Sequence, residues 1–170
     1  MPATYTRAYV REKEAKTILI QASEKLKLEI EKLIGSKAKI ERVNTEFAEL
    51  FLVNGKPLLA RVDKDIFPTL VADEILKSLP KVVIDMGAVP YICNGAHVMA
   101  PGIVRFEGEL RKGYIASVLD EKHGKLLAVG ESLYDKSEAE GVTQGVVVRN
   151  LHFVGDKLWK ILKETVAAGR

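Results

Sequence analysis

The chain has 170 residues, is 47% hydrophobic and carries a net charge of +3, so it can build a core and is neither a disordered segment nor a strongly basic tail. Aromatic residues make up only 6%, which weighs against a binder of single-stranded RNA built on stacked aromatic platforms. The one cysteine, Cys93, excludes an internal disulfide and fits a reducing compartment.

Charge is spread evenly. Residues 1–80 carry 14 basic against 12 acidic side chains, and residues 81–170 carry 12 against 11. A site for an anionic partner must therefore come from patch geometry. No run approaches the about 18 apolar residues of a membrane helix, and no charged-then-apolar leader is seen. A cytoplasmic protein with no membrane partner is expected.

Residues 4–10 favour a strand, and residues 11–16 read as a solvated charged patch. Ser23 suits an N-cap, with Glu24 in the first turn. Leu26, Ile30, Leu33 and Ile34 fall on one helix face that Gly35 can end, so the spacing predicts a helix over 23–35. Residues 38–62 read as a β-meander. It has a strand over 47–53, an Asn54-Gly55 hairpin turn and a return strand over 58–62. Pro68 suits the first position of a second helix carrying Leu70, Val71, Ile75 and Leu79, which Pro80 closes. The first half is thus a small α+β domain.

From Val82 the pattern changes to short strand candidates at 82–84, 89–92, 103–106, 114–119, 126–130 and 146–149, punctuated by glycines. Such spacing suggests a small barrel. The boundary falls near Pro80-Lys81, and with no long linker the halves should pack together. Residues 157–166 have Leu158, Ile161, Leu162 and Thr165 at helical spacing and read as a capping helix, although Trp159 fits a last strand equally well.

Chemistry-bearing motifs are few. Cys93 and His97 are four residues apart, a spacing two metal ligands can use. Gly95 intervenes and no second pair is near, so a buried thiol and an exposed imidazole are the better reading. His123 and His152 stand alone. Ser117, Ser132 and Ser137 sit in no nucleophile elbow, and there is no P-loop or dinucleotide fingerprint. No enzyme activity, cofactor or metal is expected. Asp63 with Asp65, and Asp120 with Glu121, read as solvated turn charge. His123-Gly124-Lys125 reads as a lysine-rich hairpin tip, the rival being a basic loop touching phosphates. In the stretch 94–103, Gly95 and Gly102 bracket a segment ending in Pro101-Gly102. It reads as strand, tight loop with at most one helical turn, then strand, and by itself is a structural turn.

Together these motifs resemble a known family. Residues 89–103 look like the opening of a PUA domain, residues 126–130 like its central A-V-G strand, and residues 147–153 with 156–159 like its closing strands. Residues 51–58, 67–70 and 83–88 resemble the N-terminal half of the malignant-T-cell-amplified-sequence family, of which this chain resembles an archaeal-type member. The resemblance implies an α+β fold. A small pre-PUA domain would occupy 1–80, a mixed β pseudo-barrel of PUA type 81–159, and a tail with helical character 160–170.

The resemblance also implies a function. PUA domains bind structured RNA, such as tRNA or guide-RNA stems, and the eukaryotic relatives act in translation on the small ribosomal subunit with an initiation-factor-like partner. Carried over by position, the RNA-facing loop and short helix are Asn94, Gly95, Ala96, His97, Val98, Met99, Ala100, Pro101 and Gly102. Ala100 stands where relatives often have cysteine. The opposing wall lies near Arg149, Asn150 and His152. The loop holds no Lys or Arg, so Arg105, Arg111, Lys112 and Lys125 are candidates for phosphate contacts. The expected function is non-catalytic binding of tRNA or small-subunit rRNA in initiation or ribosome recycling. Backbone-led contact would make Gly95→Val or Gly102→Val weaken RNA binding with the fold retained. The alternatives are a protein-interaction adaptor acting through the N-terminal domain, and an RNA-binding accessory of a tRNA or rRNA modification enzyme.

Overall fold

The computed structural model describes residues 5–35 and 37–168. The first half runs β1 (Thr6–Tyr9), α1 (Glu12–Leu26), α2 (Ile30–Ile34), β2 (Ile40–Asn44), β3 (Glu49–Val53), β4 (Lys56–Val62), β5 (Asp65–Pro68) and α3 (Asp73–Lys77). Its five strands form an antiparallel meander in sequential order.

The meander predicted over 38–62 is present, and its hairpin turns through Asn54 and Gly55, both at positive φ, as the right-handed twist of paired strands requires. The charged patch at 11–16 is exposed except at Ala15 and from Glu12 forms the start of α1, which buries Ile18, Leu19, Ala22 and Leu26 on its inner face. Two local expectations are corrected. The helix expected over 23–35 is two helices, because Lys27 turns left-handed at φ 56 and ends α1. Ser23 is no cap but accepts the Ile30 amide across the break, at 3.3 Å. Pro68 closes the edge strand β5 rather than opening a helix. An edge tolerates its missing N–H. Thr4, at the start of the predicted first strand, and residues 169–170 of the predicted tail lie outside the described residues.

The second half runs β6 (Lys81–Ile84), α4 (Val89–Ile92), β7 (Val98–Met99), a 3-10 turn (Ala100–Gly102), β8 (Ile103–Glu107), β9 (Ile115–Asp120), β10 (Leu126–Ser132), α5 (Lys136–Ala139), β11 (Val146–Phe153) and α6 (Lys157–Ala168). Its sheet has the order β7-β11-β10-β9-β6-β8, with β6 parallel to β9 and the remaining pairs antiparallel. Its two edge strands, β7 and β8, are joined by the three-residue turn. The sheet must therefore curl until its edges approach, which makes a half-closed barrel. The strand predicted at 89–92 is instead α4, with Pro90 in its first turn, where the missing N–H costs nothing. Trp159 lies on α6, not on a closing strand.

The described residues bury two apolar clusters. One lies inside the barrel around Val82, Ile84, Ile92, Val118 and Val147. The other joins the first sheet to α1 and α6 and takes in Ile115 and Val129 from the outer face of the second sheet. The halves thus share a core. No helix among the described residues is long and apolar enough to cross a membrane.

Candidate nucleic-acid interface

β6 ends at Ile84, and the Asp85 carboxylate accepts the Ala88 amide at 2.8 Å, which starts the single turn of α4. Gly95 ends this segment at φ 96. A Cβ there would lie 3.4 Å from the Phe153 ring, and any side chain would pay the left-handed strain. Asn150 of β11 then clamps the turn. Its Nδ2 donates to the carbonyls of Ile92 and Ala96 at 3.2 and 3.0 Å. Its backbone N–H donates to His97 Nδ1 at 3.0 Å. With Nδ1 accepting, the neutral imidazole carries its proton on Nε2. Asn94, Gly95, Ala96 and His97 are exposed, on a turn whose shape is fixed before anything binds.

The rest of the predicted segment divides. Val98 is buried while Met99 is 47% exposed. Ala100 is half-buried and Pro101 exposed. Gly102 is a correction: a Cβ there would meet the Ala88 Cβ at 2.9 Å. It is a packing glycine, so Gly102→Val would disturb the fold rather than spare it, and the positive φ of Gly95 makes valine strained there too.

The predicted opposing wall is corrected further. Of Arg149, Asn150 and His152, Asn150 alone hydrogen-bonds the turn among the described residues. Arg149 makes a bidentate pair with Asp65 of β5, Nη1 and Nη2 donating at 3.0 and 2.8 Å, and also reaches Glu131 at 3.3 Å. Its charge is spent between the two sheets, and the hydrogen bond from Arg149 holds the Asp65 carboxyl below the usual range. Asp65 is thus no solvated turn charge. His152 is fully buried: its Nε2 accepts the Leu70 amide at 3.2 Å and its Nδ1 lies 2.8 Å from Asp156 Oδ2. A side chain enclosed in this way cannot reach RNA.

The predicted cations fall on different faces. Arg105, exposed on β8, pairs with Glu107 at 3.1 Å. Arg111 pairs with Glu109 at 2.9 Å, and the neighbouring Lys112 amide bonds Asp135 at the far end of the barrel. Lys125 is near the turn: burial pushes the Cys93 thiol up, and the Lys125 charge opposes that rise. Cys93 is half-buried rather than buried. Among the described residues no group of three or more His, Cys, Asp or Glu is placed to hold a metal.

Sequence reasoning missed Tyr91. It projects from α4 and is 69% exposed, directly before the fixed turn. Reading 89–92 as a strand hid it. Pro90 followed by Asn94-Gly95, a helix start and stop four residues apart, was the available signal.

Comparison with known proteins covers both halves. The PUA domain family matches residues 80–154, and a domain of unknown function, DUF1947, matches residues 6–78. An uncharacterized protein of Methanocaldococcus jannaschii is 38% identical over 76% of this chain and 81% of its own length. Translation machinery-associated protein 20 of Schizosaccharomyces pombe is 31% identical over 88% of this chain and 86% of its own length. A probable tRNA pseudouridine synthase B of Pyrobaculum arsenaticum is 39% identical over 47% of this chain but only 24% of its own length. Among solved structures, a hypothetical protein of Pyrococcus horikoshii superposes with a TM-score of 0.77 at 33% identity, covering 92% of this chain and 99% of its own. A PUA domain protein of Aeropyrum pernix gives 0.76 at 26% identity, covering 99% and 95%.

Proposed function

This chain belongs to the two-domain PUA family that includes translation machinery-associated protein 20, and from that membership we propose that it is a non-catalytic RNA-binding protein. In this reading it contacts structured RNA, either tRNA or small-subunit rRNA, in translation initiation or ribosome recycling in the cytoplasm. The division of labour runs at Pro80-Lys81, with the PUA unit over 81–159 meeting RNA.

The observation that carries the reading is the turn after α4. Asn150 clamps it from below, it is exposed from Asn94 to His97, and Tyr91 stands beside it. Its conformational entropy is already lost before binding, so less is lost on complex formation. Tyr91 supplies an aromatic face for a terminal or splayed base, and exposed backbone groups suit the shape and 2′-hydroxyls of an A-form stem.

A second reading is favoured by a different observation. Leu33 and Val71 are 36% and 39% exposed and line one groove between α2 and α3. This supports an adaptor that docks a ribosomal or initiation-factor-like protein through its first domain. The similarity to the pseudouridine synthase spans the PUA half alone and favours only a shared RNA-binding module.

Fluorescence anisotropy against tRNA, tRNA lacking its 3′ end and small ribosomal subunits, each across a salt series, tests the proposal. Tyr91→Ala and Asn94→Ala change exposed side chains, so the melting temperature should hold. Tyr91→Ala should weaken tRNA binding roughly tenfold. If both folded variants bind tRNA as the wild type does, the turn is not the contact. Tight subunit binding with no binding to free RNA would favour the adaptor.

A further inference from the structure

We propose that the RNA-contacting surface continues past the barrel onto α6, where Lys157 and Lys160, together with Lys122 of the β9–β10 turn, hold the phosphate backbone. The inference rests on the RNA-binding reading and extends its footprint across the junction between the halves.

Topology brings these lysines to one end of the molecule. β10 and β11 are antiparallel, and the Val154 amide donates to the Leu127 carbonyl at 2.9 Å. The turn that enters β10 and the segment that leaves β11 for α6 therefore lie side by side. The fixed turn at Gly95 joins them, because Gly95 sits against the Phe153 ring and Lys125 acts on Cys93. Three segments from distant parts of the chain thus meet at that end.

Each cationic segment is held so that its lysines face water. The Asp120 carboxylate accepts the amides of His123 and Lys125 at 2.5 and 3.0 Å, which pins the turn, and Lys122 and Lys125 are exposed on it. On α6, Leu158, Ile161, Leu162 and Thr165 are buried. At about 100° per residue, that puts Lys160 on the opposite side and Lys157 on its flank, and both are exposed. Asp156, just before the helix, is occupied by His152 and by the amides of Phe153 and Trp159. Glu164 accepts the Tyr5 hydroxyl at 3.0 Å.

The contrast with other cations is the second support. Among the described residues the arginines of the second half, Arg105, Arg111 and Arg149, are each held by a carboxylate. Among the described residues no carboxylate lies within ion-pair distance of Lys122, Lys125, Lys157 or Lys160, nor of Lys81 and Lys112 elsewhere in this half. Four exposed lysines without a carboxylate partner thus lie at the end of the molecule that carries the exposed turn. Lysines act on phosphate as point charges, without base readout, so this surface would supply salt-dependent affinity.

The test is the salt dependence of tRNA binding by the full chain. Removing a phosphate contact makes the plot of log affinity against log salt shallower by about 0.7–0.9. The triple variant Lys122→Gln, Lys157→Gln, Lys160→Gln should therefore lose about 2 from the slope. A charge-matched control takes Lys16, Lys77 and Lys136 to Gln. Each of these is ion-paired on its own helix, so it should keep the wild-type slope. Lys122, Lys157 and Lys160 are all exposed, and circular dichroism checks that the fold of both variants survives. If the triple variant keeps the wild-type slope while Tyr91→Ala weakens binding, the α6 surface is wrong and the RNA-binding reading stands. If triple and control shift equally, the effect is net charge alone and the surface is again wrong. If the wild-type protein binds no tRNA at any salt, the parent reading fails, and this one with it.

Discussion

The imidazole of His152 spans the junction between the two sheets, with both ring nitrogens engaged and no surface left to water. Nδ1–H donates to Asp156, so the neutral ring presents Nε2 as an acceptor to the Leu70 amide. Asp156 in turn accepts the Phe153 and Trp159 amides at 2.9 and 2.6 Å, which caps α6. Hydrogen bonds to its carboxylate outweigh burial and leave its pKa lowered. Removing the ring strands a buried N–H and leaves a hole. His152→Ala should therefore cost about 2–4 kcal/mol in urea unfolding, while the folded fraction binds tRNA as the wild type does. A stable His152→Ala protein that had lost RNA affinity would return the residue to the interface. Nothing in the sequence around His152 distinguishes this buried bridge from a surface imidazole, because its partner Leu70 lies in the other half of the chain.

At the level of elements, β10 and β11 leave no room for a side chain at Gly130. A Cβ there would lie 2.5 Å from Val148 Cγ1 and 2.6 Å from the Arg149 carbonyl oxygen. The register between the strands shifts between Val129 and Gly130, as a glycine inside a strand often marks. The A-V-G pattern thus has a steric cause. Gly130→Ala should destabilise by about 1–3 kcal/mol through overpacking, read as a lower unfolding midpoint. An unchanged midpoint would mean that the strands part at no cost. The same scale explains which elements were legible. The Asn54-Gly55 hairpin and the amphipathic face of α6 carry local signals. α4 does not: one turn holding Val89, Tyr91 and Ile92 is indistinguishable by composition from a short strand, and only Pro90 argues otherwise. β5 was hidden for a related reason. Four residues ending in proline look like a helix start until the turn at Asp63, with φ 53, is known to fold them back on β4.

For the whole molecule, the polar contacts between the halves decide how the two surfaces are disposed. Lys25 of α1 pairs with Glu131 of β10, Glu131 with Arg149 of β11, and Arg149 with Asp65 of β5. This chain of charges, with the shared apolar core, ties the barrel to the first sheet. Because the folded Asp65 carboxyl titrates below its unfolded value near 4, the pair adds stability above that pH. The contribution is lost as pH falls through the lowered folded value. Asp65→Asn should therefore be less stable than wild type by about 1–2 kcal/mol at pH 7, and the two unfolding curves should converge below about pH 4. A gap that persisted at low pH would show that Asp65 acts through packing rather than charge.

Local patterns in the chain were enough for the class and order of most elements, the hairpin at Asn54-Gly55, the change of character after Pro80 and the family. These rest on period, turn chemistry and motif order, which act over a few residues. Through the family resemblance the sequence also pointed to the segment 94–102, of which 94–97 form an exposed turn. Which side chains share that surface follows from the folded arrangement alone. Arg149 and His152 are drawn inward by Asp65 and Leu70, partners more than eighty residues away. Tyr91 is turned outward by a helix too short to announce itself. Lys122, Lys157 and Lys160 are gathered to one end because antiparallel β10 and β11 open and close there. Pairing across such distances depends on strand order and burial, which no local pattern encodes.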